Sequence, residues 1–215
     1  MKKLIVVLFL LITAGMITMT VHAQSSALYL MPSFQFYSYP NLNQHLRAAG
    51  LPEVAATFGS GAGGFGTINE RWRVGGEGTY FTGANTSGTT STAAEGGLGL
   101  FYAGYVLTKN KWRWVPQAGI GYGGLAVTTT QLVNGSISDL LSTGSNSTRL
   151  ENGSAFAHTG LSIERTVSDG LFLGLKGAYN FGLSDSAWDA PGLNPSTSDR
   201  FSGFVVNLII GFNLR

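Results

Sequence analysis

The sequence predicts an all-β fold, an eight-stranded antiparallel up-and-down transmembrane β-barrel with a short helix in the first external loop. Three observations lead there. Apolar residues alternate with small or polar ones along successive segments after residue 23, the period of a strand with two unlike faces. Charged residues make up only 11% of the 215, against about 25% in ordinary soluble domains. No apolar run beyond the first residues approaches the roughly 18 needed for a spanning helix. That leaves a closed barrel as the way to pair every backbone N–H and C=O inside lipid.

The chain opens Met1-Lys2-Lys3, continues with an apolar run from Leu4 to Ile12, and reaches Val21-His22-Ala23 before Gln24. A basic start, an apolar centre and a small-residue site read as a signal peptide over 1–23. Residues 24–215 then form one domain. There is no cysteine, which excludes disulfides, thiolate metal sites and a cysteine-linked lipid. A formal net charge of +2 gives no electrostatic reason for a nucleic-acid partner.

The strands follow in order. The first, 27–38, sets Leu28, Leu30, Phe34 and Phe36 against Tyr29, Ser33 and Gln35. The second, 56–68, is glycine-rich and is inferred from the need for a return strand. The third, 71–82, sets Trp72, Val74 and Tyr80 against Arg73, Glu77 and Thr79. The fourth, 93–107, sets Leu98, Leu100, Tyr102 and Val106 against Glu95, Gly97 and Gly99. The fifth, 112–127, sets Trp112, Trp114, Ile120 and Tyr122 against Arg113, Gln117, Gly119 and Gly121. The sixth, 154–166, places Leu161 and Ile163 opposite His158, Ser162 and Glu164. The seventh alternates Leu171, Leu173, Leu175, Tyr179, Phe181 and Leu183 with Phe172, Gly174, Lys176, Ala178, Asn180 and Gly182. The eighth alternates Phe204, Val206, Leu208, Ile210, Phe212 and Leu214 with Gly203, Val205, Asn207, Ile209, Gly211 and Asn213. Pro32 and Pro116 fall inside strands, where each removes a ladder hydrogen bond. A bulge or an unpaired carbonyl is expected at both.

The connections alternate in length. Asn69-Glu70, Thr108 to Lys111 and Ser168 to Gly170 are short, whereas 39–54, 83–92, 128–152 and 185–199 are long. Short periplasmic turns and long external loops are the pattern of membrane barrels. A soluble barrel with the apolar face inward is the rival. Its outer surface would then be mostly Gly, Ser and Ala, poor for solubility. Aromatic placement also favours lipid outside. Trp72, Trp112, Trp114 and Phe212 lie low on the apolar face, and Phe36, Tyr80, Tyr122, Tyr179 and Phe204 lie high on it, as two interfacial girdles.

The leader, the strand pattern and the final strand from Phe204 to Arg215 resemble the small eight-stranded outer-membrane barrels of the OmpA, OmpX and OmpW kind, the outer membrane protein β-barrel domain family. The resemblance covers the whole mature chain. It implies a bacterial outer-membrane location, contact with outer-membrane lipid and engagement of the barrel-assembly machinery during biogenesis. Such chains usually end on an aromatic residue read by that machinery. This one ends Leu214-Arg215, with Phe212 nearby. Members of the group serve as structural anchors, adhesins or narrow channels.

The inward face is expected to carry Arg73, Glu77, Glu95, Arg113, Glu164 and Lys176, three acids and three bases. Balanced signs read as paired charges filling a narrow interior rather than as an ion-selective ring, which would be mainly of one sign. Lys176 is expected to pair with Glu77, with Gln117 filling in. Catalysis is not expected. His158 and Ser162 share a face but stand about 13 Å apart along the pleat. No His or Asp cluster suggests a metal, and no cofactor motif is present. In the first loop, Asn41 and Gln44 read as a helix start, Leu42, Leu46 and Ala49 as its apolar face and Gly50 as its end, over 42–49. That helix is expected to be a lid on the barrel mouth, with His45 on its surface. Trp188 is the candidate exposed aromatic of the fourth loop. The expected role is structural or surface-presenting, with a filled polar lumen and with the loops as the candidate surface for an extracellular ligand or partner. The alternative is a narrow porin-like channel or transporter for small molecules.

Overall fold

A computed structural model describes residues 25–54, 56–131, 147–189 and 197–214. The leader 1–23 and residues 132–146 of the third long loop lie outside them. The elements run β1 (Ser25–Ser38), α1 (Pro40–Ala48), β2 (Thr57–Ile68), β3 (Trp72–Ser87), β4 (Thr90–Tyr105), β5 (Leu107–Lys109), β6 (Trp112–Gln131), β7 (Ser147–Ser168), β8 (Leu171–Gly182), β9 (Ser186–Ala187), β10 (Ser198–Asp199) and β11 (Ser202–Leu214). Eight of these walls are long, because β5 continues β4 past a break at Val106. Each wall strand pairs antiparallel with the next, and β1 closes on β11 from Ser26↔Leu214 to Ser38↔Ser202. Closure leaves no unpaired edge.

The period-2 pattern becomes an inside and an outside. Leu28, Leu30, Phe34 and Phe36 of β1 are exposed on the outer wall, while Ser33 and Gln35 on the other face are fully buried. The same division holds for β3, β6, β7, β8 and β11. All nine aromatics assigned to the girdles are exposed on the outer surface. The wall β4 is the exception to the expected faces. Leu98, Leu100 and Tyr102 point into the lumen, with exposures of 9, 2 and 4%, whereas Phe101 at 43% faces out. Register with β3 sets this, since Leu98 lies opposite Thr79 and Leu100 opposite Glu77, both lumen residues.

The prolines interrupt pairing without bulging. β1 follows one register along β11, but the bridges lapse at Met31 and Pro32 between Leu30↔Ile210 and Ser33↔Asn207. Between β4–β5 and β6, pairing stops at Gly104↔Gln117 and resumes at Leu107↔Trp114, which leaves Pro116 in the gap. The lost donor therefore costs local bonds and not register. One register shift occurs elsewhere, between Thr166 and Ser168.

Asn69 and Glu70 have φ of 51° and 56°, two successive left-handed residues in the three-residue connection 69–71, where Arg71 N donates to Ile68 O at 3.3 Å. The 83–92 segment is not a loop. β3 and β4 stay paired to Ser87↔Thr90, so this hairpin stands up as a two-stranded extension. β6 and β7 extend likewise to Thr130↔Ser147. Glycine on the lumen face admits large rings close to the wall. A Cβ at Gly63 would meet the Tyr29 ring, and one at Gly211 would meet the Phe172 ring.

Candidate functional site

The lumen is packed from base to mouth. At the base, Arg73 of β3 forks onto Glu164 of β7, with Nη1–Oε1 at 2.5 Å and Nη2–Oε2 at 2.9 Å. Both side chains are nearly fully buried. Two parallel N–H···O bonds are the strongest arrangement open to this pair. The Arg73 guanidinium also lies 3.7 Å over the Phe65 ring, and Arg113 lies 4.8 Å over Phe172. Arg113 Nε approaches Glu164 Oε2 to 3.4 Å, an ion-pair distance without hydrogen-bond geometry.

One layer higher, Lys176 Nζ of β8 meets Glu77 Oε1 of β3. Tyr29 Oη donates to the other Glu77 oxygen at 3.0 Å and lies 3.1 Å from Tyr102 Oη. Each Glu77 oxygen therefore has a donor, which a buried carboxylate requires. Gln117 approaches His158 rather than Lys176, with Nε2 and Nε2 3.1 Å apart. His158 Nδ1 is 2.8 Å from Asn180 Oδ1, and Asn180 Nδ2 donates to Tyr37 Oη at 2.9 Å. Ser162 Oγ donates to Gln117 Oε1 at 3.5 Å. Between these chains lies a cavity of about 10 Å³, lined by Tyr29, Arg73, Glu77, Gln117, Glu164 and Lys176 among others. It is roughly the size of one water.

Above the polar layers the mouth is aromatic. Phe201 stacks 5.6 Å from Phe156 and packs 4.3 Å from Tyr37, which in turn packs against Phe81. Tyr39 meets Trp188 edge-on at 5.6 Å. Leu42 and Leu46 of α1 close over this cluster. Burial beside Tyr37 and Asp199 pushes the Tyr39 phenol well up, so it stays neutral at ordinary pH.

The lid is fastened by a residue far away in sequence. Asp199 accepts the Asn41 backbone N–H at 3.0 Å and the Leu42 N–H at 2.9 Å, and Trp188 Nε1 donates to the same carboxylate at 2.8 Å. A carboxylate at a helix N-terminus satisfies orphan donors and opposes the positive end of the helix. Asn41, the expected cap, instead donates its side-chain amide to Ser198 O at 2.6 Å. The helix begins at Pro40, whose fixed φ suits a first turn. It ends as a Schellman turn, with Gly50 at φ 71° and Leu51 N donating to Leu46 O at 2.8 Å. Ala49 lies past the last turn and is exposed.

The expected lumen set therefore divides. Arg73, Glu77, Arg113, Glu164 and Lys176 converge in the interior. Glu95 does not, because the faces of β4 are reversed; it stands outside, 46% exposed, and receives Arg149 Nη1 at 2.7 Å. Trp188 is likewise no exposed aromatic, at 4%. The residues that the sequence did not signal are Asp199 and Tyr102, the hydroxyl partner of Tyr29. Among the described residues no group of His, Asp or Glu could hold a metal ion.

No family model and no curated protein matches the chain. Solved structures do. The chain superposes on Ail, the attachment invasion locus protein of Yersinia pestis, with a TM-score of 0.51 at 10% identity over 88% of this chain and 99% of that one. For the outer membrane protein OprG from Pseudomonas aeruginosa the values are 0.51, 11%, 90% and 98%. For a major outer membrane protein from Thermus thermophilus they are 0.50, 10%, 88% and 99%. At such identities the likeness is one of fold, that of small outer-membrane β-barrels.

Proposed function

We propose that the chain is an integral protein of the bacterial outer membrane with a sealed lumen, acting as a structural and surface-presenting barrel. The sealed interior carries this reading. Among the described residues, paired charges at two levels surround a water-sized cavity, and an aromatic layer under a capped helix lies above them. Eight strands enclose a bore just wide enough for side chains, and here side chains occupy it. The outer wall supports the membrane setting, with Leu30, Ile120 and Leu183 more than half exposed. A surface of that kind is stable in lipid and costly in water. The lone lumen imidazole, His158, has its ring nitrogens beside Gln117 and Asn180 and neither beside Ser162, which supports a role without hydrolytic chemistry. By strand parity and turn length, the extended hairpins, α1 and the β9–β10 ribbon form the outward surface.

Single-channel recording in planar bilayers tests this. The folded chain is expected to insert without conductance steps. Stable steps from a chain whose β-content is intact would instead give first place to a narrow channel.

A further inference from the structure

Most ionic groups of the barrel are answered by a partner. Near the short turns several are not, and two of these cations stand on the strands of the outer wall. Lys109 of β5 lies directly across from Trp112 of β6, and Trp112 lies directly across from Arg165 of β7. All three are exposed and share the apolar outer face. The Arg165 guanidinium lies 5.5 Å from the centre of the Trp112 ring. Neither cation forms an ion pair among the described residues. The next residue along the row, on β8, is Leu173, which offers no carboxylate. One step nearer the middle of the wall runs a fully apolar row, Leu107, Trp114 and Ile163, in the same register.

We infer that this cation–tryptophan–cation row is a binding site for the headgroup of an anionic phospholipid, resting on the proposed reading that the outer wall faces lipid. Strands spaced by about 4.8 Å put the Lys109 and Arg165 backbones about 10 Å apart. Both side chains are long enough to converge on one phosphate lying over Trp112. Arginine supplies a planar fork for phosphate oxygens and lysine a compact charge. The indole occupies the depth at which headgroup meets chain. An acyl chain then runs up the wall over Trp114, Leu107 and Ile163. With the short turns on the periplasmic side, the lipid belongs to the periplasmic leaflet. Charge selects the occupant. A zwitterionic lipid brings an ammonium that two cations repel, whereas an anionic one brings only the phosphate charge.

Tryptophan placement makes the site readable. Trp72, Trp112 and Trp114 are exposed on the wall, and Trp188 is buried under the lid. The full chain is folded into phosphatidylcholine vesicles carrying a fixed fraction of phosphatidylglycerol. Acyl-chain bromine, a contact quencher, is placed on one lipid or on the other. Brominated phosphatidylglycerol is expected to quench more strongly than its molar fraction predicts. The excess should vanish in Lys109→Gln/Arg165→Gln and persist in the charge-conserving Lys109→Arg/Arg165→Lys. It should also persist in Arg149→Gln/Arg200→Gln, which removes the same charge from the opposite rim. Quenching in simple proportion to fraction in the unaltered chain overturns the site. So does an equal loss in both neutralised variants, which would reduce the effect to net charge. No quenching by either lipid in a folded chain would instead overturn the membrane reading.

Discussion

Lys176 and Glu77 illustrate why single residues matter in so narrow an interior. Each is buried, and each answers the other's charge. Removing one partner of such a pair leaves an uncompensated ion and typically costs about 3–5 kcal/mol. Lys176→Met should therefore lower stability by roughly that amount in urea unfolding from lipid vesicles. Adding Glu77→Gln should recover part of the loss, because the neutral amide still accepts from Tyr29. Leu175→Ala, on the lipid side of the same strand, should cost less, since lipid fills the gap. An unfolding midpoint unchanged in Lys176→Met would mean that the pair contributes nothing to the fold. The charges of this pair were legible in sequence from alternation alone. Tyr29 was legible on the same face, but its neighbour Tyr102 was not, because on β4 the larger apolar residues face inward. A lumen eight strands wide needs apolar filling too, and lipid tolerates Gly97 and Gly99 on its side. The residue that betrays the true phase is Phe101, set among small neighbours on what alternation took for the polar face.

The helix α1 was foreseeable in its elements, with Leu42 and Leu46 on one face and Gly50 at its end. Its fastening was not. Asp199 comes from 157 residues beyond Leu42, and no local pattern announces such a cap. Asp199→Asn keeps the shape but turns one oxygen into a donor facing the donors of Asn41, Leu42 or Trp188. Hydrogen bonds to charged groups contribute about 1.5–3 kcal/mol. Amide hydrogen exchange at Leu42 to Leu46 should accelerate by roughly ten- to a hundredfold, while the wall strands keep their protection. Exchange unchanged across α1 would show that apolar packing alone holds the lid. In the sequence alone the 83–92 segment reads as a loop, because its Thr, Ser and Gly content suits turns. Pairing with β6 along Thr90 to Thr92 gives those same residues a ladder, and tertiary pairing overrode local propensity.

For the whole molecule, closure joins the two ends of the barrel sequence. Ser26 lies opposite Leu214 on neighbouring strands. A short linker could bridge them, and the Asn110 turn, with its single left-handed residue at φ 58°, could be opened instead. The barrel would then begin at β6 and finish at β5, with every ladder kept in register. Nothing in the wall depends on which strand is made first: the ring has a cyclic order but no intrinsic starting point. A circular permutant opened at Asn110 should therefore refold in detergent to the same β-content and the same heat-dependent gel shift as the parent chain. A permutant that stays unfolded would mean that the native order of synthesis, and not the ring alone, carries part of the folding information.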